Sequence, residues 1–209
     1  MIFNLLNDPP LLIIVPLAII MVIAVHEYSH ALVGFWLGDH TAEAEGRLTL
    51  NPLAHLDPVG TILLLIAGFG WGKPVPFNPY NLKWPKWGPA VIALAGPLSN
   101  FVSLVFFILV LKLLSPFISP DSYLVIFLFY LISFNLILGI FNLLPVPPLD
   151  GSKLLVALLP PRFDGFSIWL QRSGPLLLIG LVILLNTVGG NIFGNLINWL
   201  LNFIFGLVG

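Results

Sequence analysis

Cysteine is absent from the 209 residues, and charged side chains make up only 8% of them. The first absence excludes disulfides and thiolate metal sites, so any ion must be held by histidine, aspartate or glutamate. The second excludes a soluble domain: a chain that is 58% hydrophobic, with a mean hydropathy of +1.04, has too little polar surface to cover itself in water. A formal net charge of -1 and the lack of any basic block leave no case for nucleic acid as a partner. Positive residues are missing from the opening "MIFNLLNDPP", and no small-residue cleavage site follows the first apolar run. Residue 1 is therefore expected to stay in the mature chain.

What is present is a series of apolar runs close to the ~20 residues that cross hydrocarbon as a helix. They do not alternate as barrel strands would, which gives an all-α integral membrane protein, a polytopic bundle of about five to six spans set in the lipid bilayer. Strong spans are expected at about 11–37, 87–114 and 123–144. "NDPP" suits the start of the first, because a proline at a helix start lacks an N–H that is not needed there, and Gly38-Asp39 ends it. Between the first two spans, "GRLTLNP" alternates like a strand, which predicts a surface β-hairpin. The stretch 59–72 is short and ends in glycine and proline punctuation, and reads as a re-entrant segment. The C-terminal part divides at "NTVGGN" into a helical hairpin over about 173–208. With no repeat and no linker, residues 1–209 form a single membrane-embedded domain with its core at 11–155.

If 59–72 does not cross, the spans at 11–37 and 123–144 run in the same direction. Arg47, Lys73, Lys83, Lys86, Lys153, Arg162 and Arg172 then share one face, against Lys112 near the other. By the positive-inside rule that face is cytoplasmic, and the chain is a multi-pass protein of the cell membrane.

The chemistry is concentrated in "HEYSH", set inside the first apolar run. Ionisable groups at membrane depth cost roughly 2.5 to 3.5 kcal/mol or more each, so they face a partner, a cavity or a metal. His26 and His30 are one helical turn apart and project from one face, close enough to share an ion. Neutral imidazoles suit Zn²⁺, and Glu27, offset round the helix, can act on water there. A catalytic zinc wants a third protein ligand and an open position. Asp150 in "PVPPLDG" is the favoured candidate, because the prolines before it free the backbone to turn the carboxylate inward. Its place beyond Leu144 requires the segment to fold back. His40 and His55 are rivals, though both lie in the polar loop and are more simply read as solvated. Asn142 is either an amide bonded to a broken helix or a donor aimed at a substrate carbonyl or oxyanion. Asn100 in "GPLSN" reads first as a helix–helix hydrogen bond, with Gly96 allowing close packing beside it.

"HEYSHA", "NPLAHLDPVGT", "FGWGKPVPFNP", "AGPLSN" and "NLLPVPPLDG", in this order, resemble the short prokaryotic branch of the site-2 protease family, the intramembrane zinc metalloproteases. The resemblance covers most of residues 11 to 155 and rests on two separated motifs in the right order. It implies one zinc held by His26, His30 and Asp150, Glu27 as general base and acid, and Asn142 as a substrate-positioning or oxyanion residue. It also implies a transmembrane protein or peptide as substrate, unwound and held by strand addition to "GRLTL" or "GWGKPVPF", and regulated intramembrane proteolysis as the activity. No PDZ or CBS domain is recognisable, so gating by such a module is unsupported. Two other readings compete: a proteolytically inactive metal-binding chaperone or adaptor, and a metal transporter. Glu27 counts against the first, and the clustering of ionisable residues at one point against the second. The sequence is silent on the oligomeric state.

Overall fold

The computed structural model describes residues 8–60, 72–187 and 192–206. Three long helices form its centre: α1 (Leu11–Trp36), α2 (Gly88–Leu114) and α3 (Tyr123–Asn142). Their ends fall within two residues of the expected spans, because the sequence marks them chemically. Gly38 takes a φ of +99° just past the end of α1, where only glycine is unstrained, and its N–H caps the Phe35 carbonyl. Ser122 caps α3 by accepting from the Val125 N–H.

Two hydrogen bonds establish the directions of the three helices. Tyr123 at the start of α3 donates to Asp8, just ahead of α1, so α1 and α3 start on the same side. At the other end the Lys83 N–H donates to the Leu37 carbonyl at 2.9 Å, so the chain reaches α2 beside the point where it left α1. α2 therefore runs opposite to α1 and α3. Their shared core holds Ala18 and Val22 of α1, Leu104 and Leu111 of α2, and Leu128, Leu131, Ile132 and Leu136 of α3. Large apolar side chains such as Ile13, Val102, Phe106 and Leu113 stay exposed on the outside, as lipid contact requires.

Besides a single helical turn at Thr41–Ala44, three later helices follow: α4 (Gly151–Leu158), α5 (Asp164–Thr187) and α6 (Ile192–Gly206). Four helical stretches among the described residues are long and apolar enough to cross a membrane: α1, α2, α3 and Pro161–Leu184, which includes most of α5. α6 has 15 residues and is about 22 Å long, short of the hydrocarbon thickness. Its Ile197 and Ile204 pack into the central core. α5 begins well before the expected 173, because Pro175 is accommodated inside the helix rather than starting it.

The β-hairpin expected at "GRLTLNP" is not there: no strand forms among the described residues, and 46–50 is irregular, with a turn at 46 and a bend at 48–49. Side-chain bonds replace the ladder. The Arg47 side chain turns inward and donates to the Lys73 carbonyl at 2.5 Å, and His55 donates through Nε2 to the Thr49 carbonyl at 2.7 Å. The re-entrant segment at 59–72 lies almost wholly outside the described residues. Its two ends nevertheless meet, since Leu56 and Gly72 form an antiparallel bridge and the Lys73 N–H donates to the His55 carbonyl at 2.8 Å. Residues 55–56 and 72–73 thus lie side by side, and Arg47, Lys73, Lys83 and Lys86 belong to one face.

Asp39 fastens this loop region to the end of α1. Only 2% exposed, its carboxylate accepts from the Thr41 hydroxyl and N–H, the Asn78 N–H at 2.7 Å and the Asn81 amide at 3.0 Å. Burial alone would raise its pKa, but these donors outweigh burial and hold the carboxyl below its ordinary value. A depressed pKa contributes stability that is full above the ordinary carboxylate value and is lost as pH falls through the folded one. Hydrogen exchange at Asn78–Leu82 should therefore stay slow and pH-independent in protection from neutral pH to about 5, then lose protection below about 4. Asp39→Asn should show weakened protection across the whole range.

Candidate metal centre

α1 presents His26 and His30 to the bundle interior, 4% and 6% exposed, as their four-residue spacing dictates. Each ring is held from behind by α2. His30 Nδ1 donates to the Ile92 carbonyl at 2.7 Å, and His26 Nδ1 to Asn100 Oδ1 at 2.6 Å. Asn100 in turn bonds Asn135 of α3 at 3.0 Å. Asp150 arrives from far along the chain. After α3 the segment 143–150 folds back through turns rather than continuing outward, and Asp150 Oδ2 lies 3.2 Å from the Nε2 of both histidines. Lys153, one turn into α4, approaches the other oxygen, Oδ1, at 3.4 Å.

The spacing of these three atoms tests the site for a metal. The two Nε2 atoms are 3.1 Å apart. With both Nδ1 atoms donating to oxygens, the neutral rings carry no hydrogen on Nε2, so nothing bridges that gap. Two nitrogen lone pairs and a carboxylate oxygen face one another in a buried space, an arrangement that is repulsive until a cation enters. Ligands bound to zinc at about 2.0–2.1 Å in a tetrahedron lie ~3.3 Å apart, close to the spacings found. Nitrogen and carboxylate donors also suit zinc, and the residues fit the ion. Among the described residues this is the one group of three or more potential ligands close enough to hold a metal.

Two glycines make the convergence possible. At Gly96 an added Cβ would overlap His30 Nε2 and lie 2.5 and 2.6 Å from His26 Cε1 and Nε2, so α2 can come this close to the imidazoles only without a side chain. At Gly151 a Cβ would collide with the carbonyls of Leu143 and Leu144, the backbone that folds back to deliver Asp150. Sequence reasoning read Gly96 as a helix-packing residue only, and Asn135, Ile92 and Lys153 were not singled out. Asn135 carried a signal, being an amide inside a transmembrane run.

The remaining sequence-predicted residues lie nearby or apart. Glu27 is half-buried on α1, with Oε1 3.5 Å from where a Cβ of Gly72 would sit, so the Leu56–Gly72 bridge lies beside it. Asn142, at the end of α3, donates to the Leu138 carbonyl at 3.1 Å, the local bond that a helix end favours. His40 is exposed and pairs with Glu43. His55, expected to be solvated, is fully buried because its ring anchors the loop through Thr49. Neither histidine belongs to the centre.

Paired imidazoles and a carboxylate buried among apolar helices, with a glutamate next in sequence to the first imidazole, define a membrane-embedded metalloprotease. The comparisons agree. The description of peptidase family M50 matches residues 117–181. The chain is 44% identical over 154 residues to "Putative zinc metalloprotease YwhC" of Bacillus subtilis, spanning 69% of this chain and 68% of that one. It is 32% identical over 192 residues to "Putative zinc metalloprotease Rip2" of Mycolicibacterium smegmatis, spanning 88% of this chain and 71% of the relative. A shorter match, 35% over 81 residues, links it to "Zinc metalloprotease MJ0392" of Methanocaldococcus jannaschii, covering 39% and 23% of the two chains. No solved structure matches. The chain belongs to peptidase family M50, the site-2 proteases, and is a zinc-dependent protease.

Gly96→Ala should drive the two imidazoles apart. Zinc retained after purification is expected to fall to a small fraction of the wild-type content, with helix content by circular dichroism unchanged. Full zinc occupancy in that variant would show that α2 can withdraw from the histidines without cost.

Proposed function

We propose that this protein hydrolyses peptide bonds within or beside a transmembrane segment of another membrane protein, with His26, His30 and Asp150 holding the zinc. The observation that carries the reading is the mutual approach of three electron-pair donors at 3.1 to 3.2 Å inside the bundle. When bound there, zinc would supply Lewis acidity, lowering the pKa of water and polarising a carbonyl. Glu27 takes the proton from the attacking water and returns it to the leaving amine, as a carboxylate next to the ligands and under the Gly72 backbone can do. Asn142 uses one Nδ2 hydrogen on Leu138, which leaves the other to orient the scissile carbonyl.

A helical substrate hides its carbonyls in its own hydrogen bonds and must be locally extended before attack. Residues 73–78 offer it an edge. Lys73 and Val75 each precede a proline and are thereby kept extended. Pro74 and Pro76 have no N–H, whereas Val75 and Phe77 do, and neither has a partner among the described residues. In extended chain these alternate residues point to the same side, which is what an added strand needs. Residues 38–60 and 72–87 and the fold-back at 143–163 lie on the face that carries most of the basic residues, which supports a cytoplasmic opening in the cell membrane. The chain acts as one unit, with 11–155 as the catalytic core and the C-terminal helices as a buttress.

Elemental analysis of purified protein should find about one zinc per chain in the wild type and in Glu27→Gln, and little in His26→Ala or Asp150→Ala. Equal zinc in all of them would separate the three residues. With a transmembrane substrate in proteoliposomes, Glu27→Gln should cut at least ~10²-fold more slowly than the wild type. A wild-type rate in that variant would remove Glu27 from the chemistry.

A further inference from the structure

The contact between His26 and Asn100 belongs to a longer line of hydrogen bonds whose direction is fixed from one end. The Leu131 carbonyl on α3 can only accept, and Asn135 Nδ2 donates to it at 2.8 Å. That bond commits the amide group of Asn135 to the donor side, so its Oδ1 is turned towards α2, where it accepts from Asn100 Nδ2 at 3.0 Å. Asn100 Oδ1 is in consequence turned towards α1, and accepts from His26 Nδ1 at 2.6 Å. The ring hydrogen of His26 must then sit on Nδ1, and the bare Nε2 faces His30 and Asp150.

We propose that Asn135 is a positioning residue for His26, acting through Asn100 to decide which nitrogen of the ring is free for the metal. The proposal rests on the metal reading given above. The two ends of an asparagine amide are nearly the same size, so an Asn100 released from Asn135 could turn over and offer N–H to His26 Nδ1. That would put the ring hydrogen on Nε2, in the space bounded by the other two ligands. His30 needs no such device, because the Ile92 carbonyl behind it has only one polarity. Water does not replace the line either, since Asn100 and Asn135 are 0% and 1% exposed. Metal-bound histidines generally have the tautomer fixed by what their other nitrogen contacts. Here the fixing group lies two amides away, on a helix that contributes no imidazole.

The competing account is that Asn100 and Asn135 merely hold α2 and α3 together, as buried amides do in membrane bundles. A rescue experiment tells the two apart. Asn135→Leu frees Asn100 and should weaken zinc binding by about 10- to 100-fold, measured by competition with a chromophoric chelator on the full chain in detergent. Adding Asn100→Asp should recover most of that loss, because a carboxylate has only acceptors and selects the Nδ1–H ring whatever stands at 135. A helix-holding role predicts no recovery, since the second change removes the donor as well. Zinc binding at wild-type strength in Asn135→Leu, or a double variant no tighter than the single one, overturns the proposal. Should Asn135→Leu fail to insert, Asn135→Ala, which leaves space rather than bulk, serves the same two arms. A wild-type chain that takes up no zinc would end the metal reading itself, a different result from either of these.

Discussion

Three atoms that can each offer an electron pair to a cation meet in the middle of this bundle: two imidazole nitrogens and a carboxylate oxygen, 3.1 to 3.2 Å apart. In water such groups would separate and hydrate. Here they are almost fully buried, where their repulsion is felt strongly, and they stay together only because the surrounding chain prevents escape. α1 holds two of them in register, α2 presses a glycine and two acceptors against the rings, and the fold-back after α3 pins the third. The bundle is thus built around a cluster of donors that a cation would complete, and uptake of one there would be linked to folding.

Convergence from distant parts of the chain explains why prolines, glycines and buried amides are concentrated where they are. "PVPP" stops α3 from continuing and so permits Asp150 to return. Gly151 allows the returning backbone to touch the Leu143 carbonyl. Gly96 brings α2 up against the imidazoles, and the Asn100–Asn135 pair ties the same level of α2 to α3. The packing that buries the site and the packing that shapes it are the same contacts, which is economical in a chain with 17 charged residues (8 basic and 9 acidic) to distribute.

The long helices were legible because hydrophobic length and terminal chemistry act locally: Gly38, Ser122 and the run lengths mark α1 to α3 without help from the rest of the fold. The His26–His30 pair was legible for the same reason, since helical spacing alone places the rings together. Asp150 was legible less directly: the prolines before it say that the helix stops, and the need for a third ligand says that the segment turns back. The strand predicted at "GRLTLNP" failed where alternation was the only cue: His55 reads as solvated and Arg47 as one of the basic residues of the face, but both turn inward and bond backbone carbonyls. Asn135 was visible only as a polar residue in an apolar run. Its direction, and with it the tie to His26, exists only once α2 and α3 are packed.

The centre is also uneven around its circumference. On the helix side its neighbours are helix backbone and buried amides with fixed polarity, which can hold a ligand geometry. On the loop side the contacts are of another kind. Lys153, which approaches Asp150, also lines a cavity of ≈ 660 Å³ bounded by Phe77, Pro147 and Pro148, and by Pro79 and Lys86 from the loop that precedes α2. The extended run at 73–78 ends at that cavity. The loop side, where Asp39 and Arg47 tie their segments together near the end of α1, is thus the side on which a cavity reaches Lys153 beside Asp150. An apolar half of packed helices and a polar half of loops thus meet at one carboxylate, Asp150, which touches both imidazoles on one side and Lys153 on the other.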